Sequence, residues 1–336
     1  MRGTIRAKEH RTPMADDSLP RSMPEPATRA SQRAPEQRAG RERPQVLYVM
    51  GAGRSGSTIL GVTLGNSAGV FYAGELDAWL PRSSEPQIAG PAQERFWGEV
   101  RANVVDAAPL YGRGAERALE RSMSLFRPRE WPARRRLRQP YRRVSESLYR
   151  AVAEAAGTPH IVDTSHYPLR ARELQSIAGI DLYLIYLMRD PQSVVASFNR
   201  KDVAQYSKAT LTTNVYLWLT NLLAVFVFLR HRADRRLFVR YEDFVADPAG
   251  IVSQIIALAG VTAPAPDFSA LQTGVPFQGN RVIRSEVVAL ERRSVSRPVA
   301  RSRVTAVLQA PWALALGRLR PAARVGAGGA ADGVSD

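Results

Sequence analysis

Gln45-Val46-Leu47-Tyr48-Val49-Met50-Gly51-Ala52-Gly53-Arg54-Ser55-Gly56-Ser57-Thr58-Ile59-Leu60 is the stretch that decides the fold. Val46–Met50 is a short apolar run closed by glycines, the pattern of a parallel strand buried on both faces. Ser57–Asn66 carries Ile59, Leu60, Val62 and Leu64, which fits a packed helix. A strand, a glycine-rich turn and a helix in succession form the setting of a phosphate-binding loop. Glycines let backbone N–H groups turn inward, and the helix N-terminus adds partial positive charge. Gly51–Thr58 fits the spacing G-x-x-x-x-G-K-[ST] except that Ser57 stands where the lysine belongs. A loop that hydrolyses ATP or GTP puts that lysine on the β- and γ-phosphates. Here the cation is Arg54, three residues earlier. A glycine turn without a ligand and a degenerate kinase or NTPase loop both stay open at this point.

Outward from the loop, strands and helices alternate. Val70–Ala73 reads as a second strand ending at Gly74-Glu75. Helix Arg142–Ala156 leads to strand His160–Asp163, and helix Leu169–Ile177 to strand Leu182–Leu187. Helix Gln192–Arg200, a long helix over about Leu211–Arg232, strand Leu237–Arg240 and helix Pro248–Ala259 follow. This alternation predicts an α/β fold of three layers, with a mostly parallel central sheet flanked by helices. Residues 81–145 are irregular and arginine-rich and read as a helical insertion, with helix over Arg95–Val105 and Gly114–Phe126. The expected organisation is a disordered tail over 1–44, a catalytic domain over 45–320 and a flexible tail over 321–336.

With 336 residues, 45% of them apolar, the chain supports a sizeable core. It has no cysteine, so disulfides and thiolate metal sites are excluded. Its histidines, His10, His160, His166 and His231, lack metal-ligand spacing, and no metal is expected. The net charge of +16, almost all arginine, suits nucleic acid, an anionic membrane face or an anionic small molecule. The basic stretches Arg113–Arg143 and Arg281–Arg303 carry few aromatics for base stacking, which disfavours nucleic acid. The apolar run Val215–Leu229 is interrupted by Asn221 and is shorter than the roughly 18 residues of a spanning helix. It reads as buried, and the expected setting is the cytoplasm.

Arg54-Ser55-Gly56-Ser57-Thr58 resembles the 5′-phosphosulfate loop of sulfotransferases that use PAPS (3′-phosphoadenylyl sulfate), whose core reads Lys/Arg-Ser-Gly-Thr/Ser-Thr. Four further landmarks accompany it. Arg189-Asp190-Pro191 with Ser197 is similar to the family's 3′-phosphate site, and an arginine can fork two donors onto a phosphate. Tyr241-Glu242-Asp243-Phe244 before Asp247-Pro248 resembles an architectural Tyr-Glu-Asp-Leu segment, with Asp247 a helix cap. Gly279-Asn280-Arg281, with Arg284, resembles a basic loop that closes over the nucleotide. Val162-Asp163-Thr164-Ser165-His166 is similar to Val-Asp-Ser-Ser-Lys, but His166 replaces the lysine.

The resemblance implies PAPS as donor, needing no metal, with a small-molecule or glycan acceptor. It places the donor on Gly53, Arg54, Ser55, Gly56, Ser57, Thr58, Arg189, Ser197, Asn280 and Arg281. Arg54 would contact the transferring group, and Glu75 would take the acceptor proton. His166 would neutralise the leaving group if protonated or act as a base if neutral. The insertion is expected to form part of the acceptor pocket or a lid. Trp79, Phe96, Trp97, Tyr111 and Trp131 are available there to line it or to pack as core. Two other classes stay open: a P-loop kinase, with Asp163 as its magnesium ligand, and a non-catalytic arginine-rich protein that binds nucleic acid or anionic lipid. Val304–Leu319 is expected to pack on the core, with contact at a membrane surface as the alternative.

Overall fold

The computed structural model describes residues 43–198, 210–290 and 302–316. The tail expected over 1–44 (apart from its last two residues), the tail over 321–336 and much of the basic stretch Arg281–Arg303 lie outside the described residues. Five strands form one sheet in the order β2-β3-β1-β4-β5, with every neighbouring pair parallel. They are β1 Gln45–Gly51, β2 Val70–Gly74, β3 His160–His166, β4 Asp181–Met188 and β5 Arg236–Arg240. β1 is central, Gln45 being level with both His160 and Asp181. Its side chains alternate between two separate cores, which is why the run reads as continuously apolar. Val46, Tyr48 and Met50 face one core, and Leu47 and Val49 the other.

The second of those cores is closed by α1 (Ser57–Gly65), through Leu60, Val62 and Leu64. The short helix α8 (Tyr241–Ala246) and α9 (Pro248–Leu258) share that face. Asp247 caps α9 as expected, its Oδ1 accepting from Gly250 N at 3.0 Å. The opposite face carries α2 (Pro91–Asn103), α4 (Trp131–Ala156), α5 (Pro168–Leu174) and α7 (Thr210–Arg230), with α3 (Ala115–Leu119) packed against α4. α6 (Pro191–Phe198) follows β4, and α10 (Arg303–Leu316) packs on α7. Of the crossovers joining these five strands, β1 to β2 alone uses the α1 face. The connections after β3 and β4 leave over the other face, which opens a crevice beyond the carboxyl end of β1.

Element boundaries differ from the sequence reading in one instructive place. The helix expected from Arg142, just after Pro140, begins at Trp131 and runs through that proline. Arg134, Leu137, Tyr141, Val144, Leu148 and Val152 form an unbroken buried stripe at helical spacing, and this packing outweighs the lost backbone bond. The insertion is helical only in part: α2, α3 and the start of α4 alternate with 3₁₀ turns.

α7 is long and apolar enough by composition to cross a membrane. It also buries Thr213, Asn214, Thr220 and Asn221, and Asn221 accepts a hydrogen bond from Tyr186 of β4 at 3.0 Å. As expected, α10 packs rather than standing apart. Trp312 is buried against Trp218 of α7, and Gln309 donates to Asn214 Oδ1 at 2.9 Å.

Candidate active site

The loop after β1 enters its helix through Gly56, whose φ of 93° lies in the left-handed region. A Cβ there would sit 2.3 Å from the Tyr241 ring. Tyr241, read from sequence as purely architectural, therefore wedges under the loop, and its ring also carries the Arg189 guanidinium at 4.6 Å. Arg54 holds a φ of 69°, and His166 at the end of β3 a φ of 54°. Of the five non-glycine residues with positive φ among the described residues, these two lie at the crevice, where such backbone strain is commonly kept for function.

A cavity of about 720 Å³ opens beyond the ends of β1, β2 and β3. Gly53, Arg54, Gly56, Ser57 and Thr58 form one wall, and Glu75 and His166 another. Asn280 and Arg281 lie along its edge with Arg284. That edge is stitched in place by backbone: Phe277 N donates to Ala73 O at 2.8 Å, and Glu75 N to Gln278 O at 2.8 Å. Gly279 N donates to Gln87 Oε1 at 2.9 Å, and Asn280 Oδ1 accepts from Val282 N at 2.8 Å. Gly74 permits this seam, because a Cβ there would lie 2.4 Å from the Gln278 carbonyl oxygen.

Ser55, Arg189 and Ser197 stand apart from this cavity. Ser55 is buried, and with Arg189 it borders a much smaller space of about 10 Å³. Arg54 links the two regions. Its Nε donates to Ser197 Oγ at 3.0 Å, and its carbonyl accepts from Arg189 Nη1 at 3.3 Å. The residues expected at the two phosphates of the donor thus form one network through Arg54. Asp190, next to Arg189, caps α6 by accepting from Ser193 N at 2.9 Å.

Burial, then the negative charges of Asp77 and Asp163, raise the Glu75 carboxyl to about 8; Gln278 and Arg121 oppose the shift. Gln278 Nε2 donates to Glu75 Oε2 at 3.3 Å. Asp77, also on the cavity wall, is raised to about 6, chiefly by burial. Burial and the nearby Arg121 depress His166 to about 4. In its neutral form the imidazole does not supply the charge of a lysine. Positive charge comes from Arg54, Arg82, Arg121, Arg281 and Arg284, all on the cavity wall. Five arginines against two carboxyls held toward neutrality suit a polyanionic ligand.

Asp163 does not reach the cavity, contrary to its expected place as a metal ligand in a kinase. It is fully buried, accepting from Tyr149 OH, from Ser165 N at 2.8 Å and from Arg170 at 3.4 Å. Among the described residues, no cluster of three His, Cys, Asp or Glu side chains has metal-binding geometry. The aromatics named for the acceptor pocket are mostly core. Trp79 and Trp97 are buried against each other and Phe277, and Phe96 stacks on Phe71. Tyr111 hydrogen-bonds Ser84 at 3.0 Å, and Trp131 is exposed beside Arg135 and Arg136. The insertion instead offers the cavity polar side chains: Arg82, Gln87 and Arg121.

Sequence reasoning missed Arg82, Arg121, Asp77 and Tyr216. The two arginines were hidden among many, but Asp77 lies two residues beyond Glu75, a spacing that hints at a paired-carboxyl wall. Tyr216 OH accepts from the loop amide of Gly53 at 2.8 Å, and nothing in the apolar pattern of α7 sets this tyrosine apart.

A family model described as the sulfotransferase family matches residues 45–265. The chain belongs to the sulfotransferase family. No curated protein matches the chain. Among solved structures, the chain is similar to the sulfotransferase domain from the curacin biosynthetic pathway, at 18% identity and a TM-score of 0.48. That match covers 81% of this chain and 99% of the other. The sulfotransferase domain of the Synechococcus PCC 7002 olefin synthase is 21% identical, with 81% and 96% covered and a TM-score of 0.45. Sulfotransferase STF1 from Mycobacterium tuberculosis H37Rv is 18% identical, with 69% and 72% covered and a TM-score of 0.40.

Proposed function

We propose that this chain transfers a sulfuryl group from PAPS to the hydroxyl of a small-molecule or glycan acceptor, releasing PAP. The observation that carries this reading is the single cavity in which the cationic loop of Arg54 faces Glu75 and His166. PAPS, when bound, supplies a sulfuryl group already activated by its bond to phosphate. The chain supplies position and charge, which dominate catalysis in transfers of this kind.

Loop amides from Arg54 to Thr58 and the side chains of Ser57 and Thr58 would hold the 5′-phosphate, while the Gly53 amide is taken up by Tyr216 OH. Arg54 would stabilise charge developing between the transferring group and the leaving oxygen. Arg189 and Ser197 already converge on Arg54 and would hold the 3′-phosphate, with Asn280 and Arg281 along the edge. Glu75 is the base of choice for the acceptor proton. With its carboxyl near 8 it is a far stronger base than His166, near 4, and an ionised fraction is present at neutral pH. His166 then acts as a neutral hydrogen-bonding group beside the loop, its Nε2 lying 3.9 Å from a Cβ built on Gly53.

A ligand that binds the native state raises stability by RT ln(1 + [L]/Kd), about 2.7 kcal/mol at a hundredfold excess over Kd. PAP is expected to raise the thermal midpoint, and ATP with magnesium is not. Arg54→Ala should abolish transfer of labelled sulfate with an unchanged midpoint. Stabilisation by ATP–magnesium alone, or full transfer by Arg54→Ala, would sink the reading.

A further inference from the structure

Arg121, on the wall of the donor cavity, also borders a second space. On the other side of that residue an open chamber of about 450 Å³ is formed by the insertion, with Glu116, Arg117, Arg121, Met123 and Arg127 on its walls. Arg121 borders both spaces, and the donor cavity on its one side carries Glu75 and His166. Its half-buried guanidinium lies 4.2 Å over the Tyr167 ring. Neither Arg121 nor Arg117 makes an ion pair among the described residues, whereas Arg134, Arg138 and Arg142 of α4 converge on Glu173. Arg127 pairs only at the exposed surface, with Glu130 at 3.3 Å. The Glu75 carboxyl near Arg121 is held toward its neutral form, so the guanidinium keeps charge available for an arriving anion. Met123, half exposed, adds an adaptable apolar wall to the same chamber.

We infer that this chamber is an acceptor subsite for the anionic group of a hydroxylated substrate with an apolar body. The inference rests on reading the adjoining cavity as the transfer site. It places the reacting hydroxyl at Glu75, and a carboxylate or phosphate of the same molecule beyond Arg121, between Arg117 and Arg127. Arginine suits both anions, because its planar fork matches paired oxygens.

The test uses three probes with one ten-carbon chain: 10-hydroxydecanoate, 10-hydroxydecyl phosphate and the neutral 1,10-decanediol. Their binding to the full chain is measured by calorimetry at about 0.15 M salt, where exposed charges are screened within about 8 Å. Each titration is run with and without saturating PAP. At least one anion is expected to bind about tenfold or more tightly than the diol, a difference of about 1.4 kcal/mol. Whichever anion binds better identifies the group the chamber takes. Arg117→Gln with Arg127→Gln should bring anion and diol within about twofold, while Arg117→Lys with Arg127→Lys should keep much of the difference. PAP affinity should be the same in the glutamine variant as in the parent, because neither arginine borders the donor cavity. Equal binding of all three probes, no binding by any, or an anion preference that survives the glutamine variant would overturn the inference. Failure of PAP to bind the parent would overturn the donor reading instead, and the titrations without PAP would still decide this one.

Discussion

Glu75 concentrates most of the chemistry in one side chain. It stands at the end of β2, beside Asp77 and near the buried Asp163, in a space that strips water from its carboxylate. Those influences hold the acid form to about 8, whereas the unfolded chain would ionise near 4.5. A general base works only when ionised, so the pH dependence has a definite sign. kcat/KM should rise about tenfold per pH unit below 8 and level off above it. Glu75→Gln should lower kcat by about 10²- to 10⁴-fold, the usual size of a lost general base. It should also abolish the rise, while PAP affinity stays near the parent value. A parent profile flat from pH 6 to 9, or a variant that keeps the slope, would remove Glu75 as the base. His166 cannot mimic this limb, since its titration near 4 lies well below the window.

Between elements, a buried polar network ties the insertion to the sheet. Arg170 of α5 donates to Glu120 of the insertion at 3.1 Å, to Tyr149 of α4 at 3.2 Å and to Asp163 of β3 at 3.4 Å. Arg170, Glu120 and Asp163 are all buried. Removing the one cation would strand two carboxyl groups without compensation. Arg170→Met should therefore destabilise the fold by about 3–5 kcal/mol, read from the urea midpoint. A loss within about 0.5 kcal/mol would mean the network contributes little. Nothing in the sequence announced these partners, because Glu120, Asp163 and Arg170 come from three elements and their meeting depends on how α4 and α5 pack. The strand–loop–helix start of the domain was legible for the opposite reason. Val46–Met50 and Gly51–Thr58 carry their structure locally, in hydrophobic pattern and glycine placement. The presence of the remaining strands was also readable, since apolar runs alternate with helices, but their order in the sheet was not. Legibility failed in the insertion. There Arg121 looks like any other arginine, and the tryptophans look as fit for a pocket as for the core they join.

At the scale of the whole molecule, the charge of +16 is partly accounted for by internal work rather than by a surface for nucleic acid. Arg134, Arg138 and Arg142, spaced one helical turn apart on α4, converge on the buried Glu173. Arg54, Arg82, Arg121, Arg281 and Arg284 line one cavity. A site built this way keeps its acids and its histidine in forms the unfolded chain would abandon, and folding free energy must therefore depend on pH. For His166 the folded value lies below the unfolded one, near 6.5. Its contribution is present above 6.5 and is lost as pH falls toward 4. For Glu75 the folded value lies above the unfolded one. Its contribution is present below about 4.5 and is lost as pH rises to about 8. Above 6.5 the histidine is neutral in both states and drops out, which leaves Glu75 and the buried Glu120, also raised to about 8, with the Glu75 variant separating the two. The thermal midpoint of the parent should thus decline between pH 6.5 and 8.5. Glu75→Gln, which has no proton to lose, should show a shallower decline and exceed the parent most clearly at the alkaline end. Parallel midpoint curves for the two proteins across that window would show that Glu75 is not held protonated by the fold, and would undercut the kinetic prediction made from the same carboxyl. A stabler but inactive variant would mean that the base is kept at a cost to stability, as a functional group in a dry site requires.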